Sequence, residues 1–426
     1  MRRLLVLGCC CALLITTMTA TWAADVSPNP ADLAVPSEVN ARAQRLVEQL
    51  GSEIFAEREA AERELTRLGR FARPALLHGA SHSPDPEVRH RCTLLLPQAQ
   101  ALELQARLDT FLADTNGDYE HDLPGWKPFL ALVRNDWTLF GHTLRGDRSL
   151  DRAAKAVFTE LIAHSDNRRL IFAAAQRDFD FRNRVLERRV ELYNRKYGRI
   201  PGVERRDPTL SEITVLLFAE ALVPNVYPAR NTSISSLLTS SGLIAAANRD
   251  TDEGRVYRAI ATAWLVSRRD PRDMYYAMTI ASSLNQPDEL CTIAVKLLTS
   301  PGISATYRGR AASNLISYGS EKHLPLLDKT LTDTTVVATL RLHTLTADGQ
   351  TTLQTYEIQA RDMALAVAIQ LTGQKLSDYG YTDRYGSNSE SDRTYAYTRF
   401  YFSSPERREA AFQKWQAQRT TNQPHQ

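Results

Sequence analysis

From Glu38 onward, the apolar positions of this chain recur at helical spacing, and the stripes come in consecutive pairs. Val39, Ala43, Leu46, Val47 and Leu50 share one face, and Gly51 follows as a stop. Ile54, Ala61, Leu65 and Leu68 form the next stripe, closed by Gly69, with Glu59 and Arg63 spaced to pair across one turn. A short third helix is predicted around Pro74 to Gly79. Asp85-Pro86-Glu87 opens the fourth, because Asp caps free amides and Pro suits the first helical position. Val88, Cys92 and Leu95 make its inner face. Residues 38–96 therefore read as two helix pairs.

Helical periodicity continues with less repetition through 100–285. Stripes fall at 101–113, 128–140, 151–164, 168–197, 210–222, 234–248, 253–267 and 272–284. Thr209-Leu210-Ser211-Glu212 has the spacing of a capping box, and Asp270-Pro271 repeats the Asp-Pro start. Loops at 114–127 and 198–208 carry Gly, Pro and Asp. PDELCTIAVKLLTSPG and ATYRGRAASNLISYG then make a pair, EKHLPLLDKTL begins another, and ARDMALAVAIQLTG completes it. Between these last two the pattern changes to alternation around Asp348-Gly349, which predicts a β-hairpin over 336–358. Beyond Tyr379 the chain is rich in aromatics. Tyr395 to Phe402 is expected to be extended, and Glu406 to Gln418 to be a final short helix.

The N-terminal segment LVEQLGSEIFAEREAAERELTRLGRFARPALLHGASHSPDPEVRHRCTLLL resembles the HEAT-type repeats of secreted bacterial proteins. Asp-Pro-Glu-Val-Arg at the start of the second helix is its most recognisable element, and a period near ~40 residues agrees. The order of elements from the hairpin to LTGQKLSDYGY and FSSPERREAAFQKW is similar to the C-terminal half of the same family. The resemblance implies an all-α, HEAT-like α-solenoid of stacked helix pairs with a small β-hairpin insertion, and names no activity. The expected divisions are N-terminal pairs at 38–113, a middle helical region at 114–285, a C-terminal region at 286–373 and an aromatic-rich capping tail at 374–426.

Ahead of the helices stands a secretory leader. Arg2 and Arg3 precede an apolar or small run from Leu4 to Met18, and Thr21-Trp22-Ala23 places small residues where a signal peptidase reads, predicting cleavage between Ala23 and Ala24. The run is short for a membrane span and broken by Thr16, Thr17 and Thr19. Too few apolar residues precede Cys9 for lipoprotein processing. Residues 1–23 are thus expected to be a signal peptide and 24–37 a Pro- and Ala-rich flexible linker, with no transmembrane segment after removal and a periplasmic or secreted destination. Of five cysteines, only Cys92 and Cys291 remain, each on an apolar face and expected to be a separate, poorly reactive thiol. The full chain has 52 Lys and Arg against 49 Asp and Glu, and losing Arg2 and Arg3 leaves +1, which gives no general attraction to nucleic acid.

No Gly-x-Ser-x-Gly, His-Glu-x-x-His, phosphate loop or Cys-x-x-Cys-His occurs, so no catalytic, cofactor or metal residues are assigned. His78, His82, His90 and Cys92 are zinc-ligand types, but Gly79 and Pro84 are expected to break the helix their spacing needs. Asp114-Thr115-Asn116-Gly117-Asp118 starts like a calcium loop, yet its glycine is misplaced and Gly125 stands where Glu is required. From Arg177 to Arg206 the chain is locally basic, interrupted by acids. Arg182, Arg188, Arg189 and Arg195 are the candidate partner-binding residues. Replacing all four by Gln is expected to leave the helical content unchanged, as for exposed charges. Tyr395, Tyr397 and Tyr401 are the candidate aromatic surface. The expectation is an exported, non-catalytic interaction or scaffold protein of the cell envelope that binds a protein partner and needs no cofactor. The alternatives are a hydrolase with dispersed residues or an envelope carbohydrate-binding module.

Overall fold

The computed structural model describes residues 28–135, 148–176, 180–199, 201–223, 234–345, 350–381 and 396–422. The cleavage residues Ala23 and Ala24, and Tyr395, lie outside them. The chain is all-α with a small β-hairpin, and it divides into two compact units at His121/Asp122. Among the described residues no helix is long and apolar enough to cross a membrane.

The first unit holds α1 (Ser37–Gln49), α2 (Phe55–Leu68), α3 (Arg73–His82) and α4 (Pro86–Ala113). Their apolar stripes meet in one core that includes Ala43, Val47, Leu50, Leu65, Leu76, Val88 and Cys92. Asp85 caps α4 by accepting from the Glu87 amide at 2.8 Å, as its sequence predicts. Other expectations need correction. Gly79 does not end α3, which runs on to His82. A Cβ at Gly79 would lie 2.6 Å from Val47 Cγ1 and 2.7 Å from Cys92 Sγ, so the glycine is there to let α1 and α4 approach. The stripes ending at 96 and starting at 101 are one helix, with Pro97 inside it. Pro97 removes one backbone bond, but Ala99, Leu108 and Phe111 are buried beyond it and hold the helix on course. Glu59 pairs with Arg91 at 3.1 Å; the same arginine also takes Glu62 and Glu87, tying α2 to α4. Within the expected linker, Pro30–Leu33 forms a 3-10 turn whose Leu33 carbonyl accepts from Arg70 at 2.7 Å, so this part is pinned.

The second unit begins with α5 (Trp126–Val133), α6 (Asp151–Ala163), α7 (Ser165–Gln176), α8 (Phe181–Lys196) and α9 (Leu210–Leu222). It continues through α10 (Ile234–Ser240), α11 (Leu243–Ala247), α12 (Asp252–Ser267) and α13 (Pro271–Ser283) to α14 (Pro287–Thr299) and α15 (Ala305–Tyr318). The single stripe read at 168–197 is two helices, α7 and α8. That at 234–248 is split at Gly242, whose φ of 75° ends a helix readily. Of the stripe at 128–140 the described part forms α5, and residues 136–140 lie outside the described residues. The capping box at Thr209 and the Asp270 cap both form as expected.

Successive pairs stack in two layers: α12 against α14, and α13 against α15, which in turn meets α17 (Ala360–Leu371). The short α16 (Leu324–Leu327) and the antiparallel strands β1 (Val336–Leu345) and β2 (Thr351–Gln359) lie between α15 and α17, where alternation predicts a hairpin. The tail closes with α18 (Pro405–Asn422). Within its aromatic segment Ala396–Arg399 is a 3-10 turn, so that part is not extended as expected. The turn lies on α15 at Gly309, where a Cβ would stand 2.4 Å from the Tyr397 amide nitrogen.

Candidate functional site

The four arginines of α8 do not form one exposed stripe. Phe181, Val185 and Leu192 are its buried apolar residues, and Arg188, Arg189 and Arg195 fall in the same stripe at intervals of three and four. Arg189 is 1% exposed and Arg188 and Arg195 are buried, whereas Arg182 is exposed. The exposure expected of the first three is thus corrected: a stripe position turns a side chain inward whatever its charge, provided a partner waits there.

Those partners come from α9 and α13, and residues at the end of α12 complete the network. Arg189 makes a fork to Asp273 at 2.9 and 3.1 Å and donates to Glu220 Oε1 at 3.2 Å. Arg268 donates to Glu220 Oε2 at 3.1 Å and to the Glu220 carbonyl at 2.6 Å, and its guanidinium lies 4.9 Å from the centre of the Trp264 ring. Trp264 Nε1 adds a bond to Glu220 Oε2 at 2.7 Å. Two arginines and two carboxylates thus balance one another with almost no solvent contact. Burial works against the charge of Arg189, and Glu220 and Asp273 more than restore it, holding its pKa above the ordinary arginine range.

A second knot sits at the start of α9. Glu212 accepts from Arg195 at 2.6 Å, from Arg188 and Arg206 at 3.2 Å each, and from the Thr209 amide at 2.9 Å. Burial pushes the Glu212 carboxyl up, but the Arg195, Thr209 and Arg188 contacts outweigh it and hold it below the usual carboxylate range. Arg188 also grips Glu191 with two bonds of 2.7 and 2.8 Å. The result is an α8 locked on its inner face by ion pairs reaching two other helices, α9 and α13.

On its outer side α8 meets α7 around an open cleft of about 740 Å³. Asp166 and Arg169 line it from α7, and Arg184, Glu187, Arg188 and Glu191 from α8. Leu170, Phe172 and Ala173 supply apolar surface between them. Alternating charge over an apolar strip suits a polypeptide surface, which presents the same mixture. Arg188 belongs both to the cleft wall and to the Glu212 knot, so the wall is fixed in place before anything binds.

The other sequence candidates are scattered. His78 and His82 are exposed on α3, with rings stacked 4.8 Å apart. Asp114 is fully buried, accepting from the Asp118 amide at 3.0 Å with His121 Nε2 at 2.7 Å, so its carboxylate organises its own loop. Among the described residues no group of three or more His, Cys, Asp or Glu is arranged around a common metal position. Tyr401 is 4% exposed and packs its ring 5.0 Å from that of Tyr356, which corrects its place in an aromatic surface. Tyr397 is half-buried where its backbone meets Gly309.

Cys92 and Cys291 are free, buried, and in different units. Burial pushes the Cys92 thiol up to about 11 and raises that of Cys291. Thiolate is the reactive form, so the folded protein should react with neither thiol at pH 7 on the timescale of minutes, and with both after denaturation. Titration with a chromogenic disulfide reagent checks this, and rapid labelling of the native protein is the contrary result.

Sequence reasoning missed Glu220, Trp264, Arg268 and Asp273. One signal was present: LLFAEAL puts a single carboxylate in an apolar run, and charged residues are almost never fully buried unless paired. Comparison with protein-family models, with curated proteins and with solved structures returned no match.

Proposed function

We propose that this is an exported, non-catalytic interaction or scaffold protein of the cell envelope, of the HEAT-repeat kind, which holds a protein partner at the α7–α8 cleft. One observation carries the reading: an open cleft of mixed charge and apolar surface stands on a helix immobilised by buried ion pairs. A preformed wall spares the entropy of ordering it on binding. Export rests on the leader sequence, and the envelope is where a cleaved secretory chain of this kind would work.

The test is affinity capture from envelope extracts with the mature protein and with an Arg169→Glu, Glu187→Lys variant. Both side chains are exposed, so the fold should survive, as circular dichroism would show. Capture should fall at least tenfold, corresponding to about 1.4 kcal/mol. An unchanged set of captured proteins removes the cleft from the proposal. Turnover by the purified protein that disappears on changing one acidic residue or histidine removes the non-catalytic reading.

A further inference from the structure

Two imidazoles spaced by four stand side by side only on an unbroken helix, and α3 runs unbroken through Gly79 to His82. Contacts with α1 and α4 hold it so. Gly79 is buried against Val47 and Cys92, where no side chain would fit. At the far end the Ser83 amide donates to the Gly79 carbonyl at 3.2 Å. Arg89 of α4 donates to the carbonyls of Ser83 and Pro84 at 2.7 and 2.9 Å. The last turn, where helices usually fray, is thereby pinned. Ala75, Leu76 and Gly79 face the core, which turns Pro74, Leu77, His78, Ser81 and His82 outward as one exposed face. On that face the rings of His78 and His82 stack with an interplanar angle of 17°, so both side chains reach into the same space. Among the described residues neither imidazole has a hydrogen-bonding or ionic partner.

We propose that His78 and His82 form an exchangeable site for one late first-row divalent ion, of the class of Ni2+, Cu2+ and Zn2+. Neutral imidazole is an ordinary ligand of these ions, whereas Mg2+ and Ca2+ take oxygen. At metal–nitrogen distances of about 2.0–2.1 Å, adjacent ligand nitrogens stand about 3 Å apart. Exposed rings that already lie side by side reach that separation by turning about their own side-chain bonds, with no movement of α3. The end of the helix favours the ion too, because the C-terminal turn carries the negative end of the backbone dipole. No Lys or Arg stands among the exposed residues of α3. A helix already fixed by its core contacts loses little entropy on chelation. Two protein ligands are fewer than the four of a structural zinc or the three of a catalytic one, so water fills the remaining positions and the ion exchanges readily. The site belongs to the first unit and uses no residue of the cleft.

The test is isothermal titration of NiCl2 into the purified protein carrying no affinity tag, which should show a site with a Kd below about 1 mM. His78→Gln and His82→Gln should each weaken it by about tenfold or more. His90→Gln, exposed on the neighbouring α4, should leave it unchanged. All three positions are exposed, so the circular dichroism spectrum should stay the same. With one equivalent of Cu2+, electron paramagnetic resonance should show coupling to two imidazole nitrogens in the unmodified protein and to one in either His78→Gln or His82→Gln. MgCl2 and CaCl2 should not bind there. A Kd for Ni2+ above about 1 mM overturns the proposal. A loss at His78 that is not matched at His82, or a loss at His90 as large as theirs, overturns it as well.

Discussion

Replacing Arg189 with Met should destabilise the second unit by about 3–5 kcal/mol, because it strands the buried Asp273 carboxylate without its counter-ion and leaves Glu220 with Arg268 alone. Among the described residues Arg189 is the only cation paired with Asp273, and it shares Glu220 with Arg268. Loss of this size takes a large share of the stability of an ordinary domain. The same experiment at Arg182, on the same helix but exposed, should cost no more than about 0.5 kcal/mol. Urea unfolding followed by circular dichroism measures both. The contrast decides between an inward-facing network and a solvated stripe: equal, small losses at the two positions would mean that Arg189 is not held as described. The expectation from charge pattern alone, that all four α8 arginines can become Gln without structural consequence, is replaced by this one. A fourfold Gln variant should lose much of its cooperative unfolding.

Phe158→Ala should cost a comparable amount, about 3–5 kcal/mol, through loss of packing rather than of charge. Phe158 is fully buried on α6, with its ring 5.2 Å from Trp126 and 5.1 Å from Phe129, and Phe129 in turn lies 5.6 Å from Phe218 on α9. The cluster joins α5, α6 and α9, and both α6 and α9 pack on α7, which forms one wall of the cleft. Truncation leaves a cavity that neighbouring rings cannot fill without leaving their own contacts. Phe158→Leu keeps most of the volume and should cost less than half as much. Thermal unfolding of the two variants side by side checks the order. If Ala and Leu behave alike, packing at this position is not what holds the three helices together.

The division between what was legible and what was not follows the range of the forces involved. Local signals were read directly. The Asp85 and Asp270 caps and the Thr209 capping box each depend on residues a few positions apart and appear where expected, as do the paired strands on either side of Asp348-Gly349, a turn that lies outside the described residues. Stripes located the helices because apolar faces must be covered whatever covers them. Boundaries failed where a tertiary contact overrode a local preference. Gly79 stays helical because α1 and α4 close over it, and Pro97 stays helical because buried side chains continue beyond it.

The chemistry of α8 shows the same division most sharply. Its sequence alone determined that Arg188, Arg189 and Arg195 share a face with Phe181, Val185 and Leu192. It could not determine whether that face looks at water or at carboxylates. Their partners lie 17 to 84 residues away, at Glu212, Glu220 and Asp273. A guanidinium enters the interior only when opposite charge is already fixed there, since desolvation opposes it otherwise. Fixing that charge required α9 and α13 to be packed beside α8, so only the tertiary structure could decide between a solvated stripe and a buried lock.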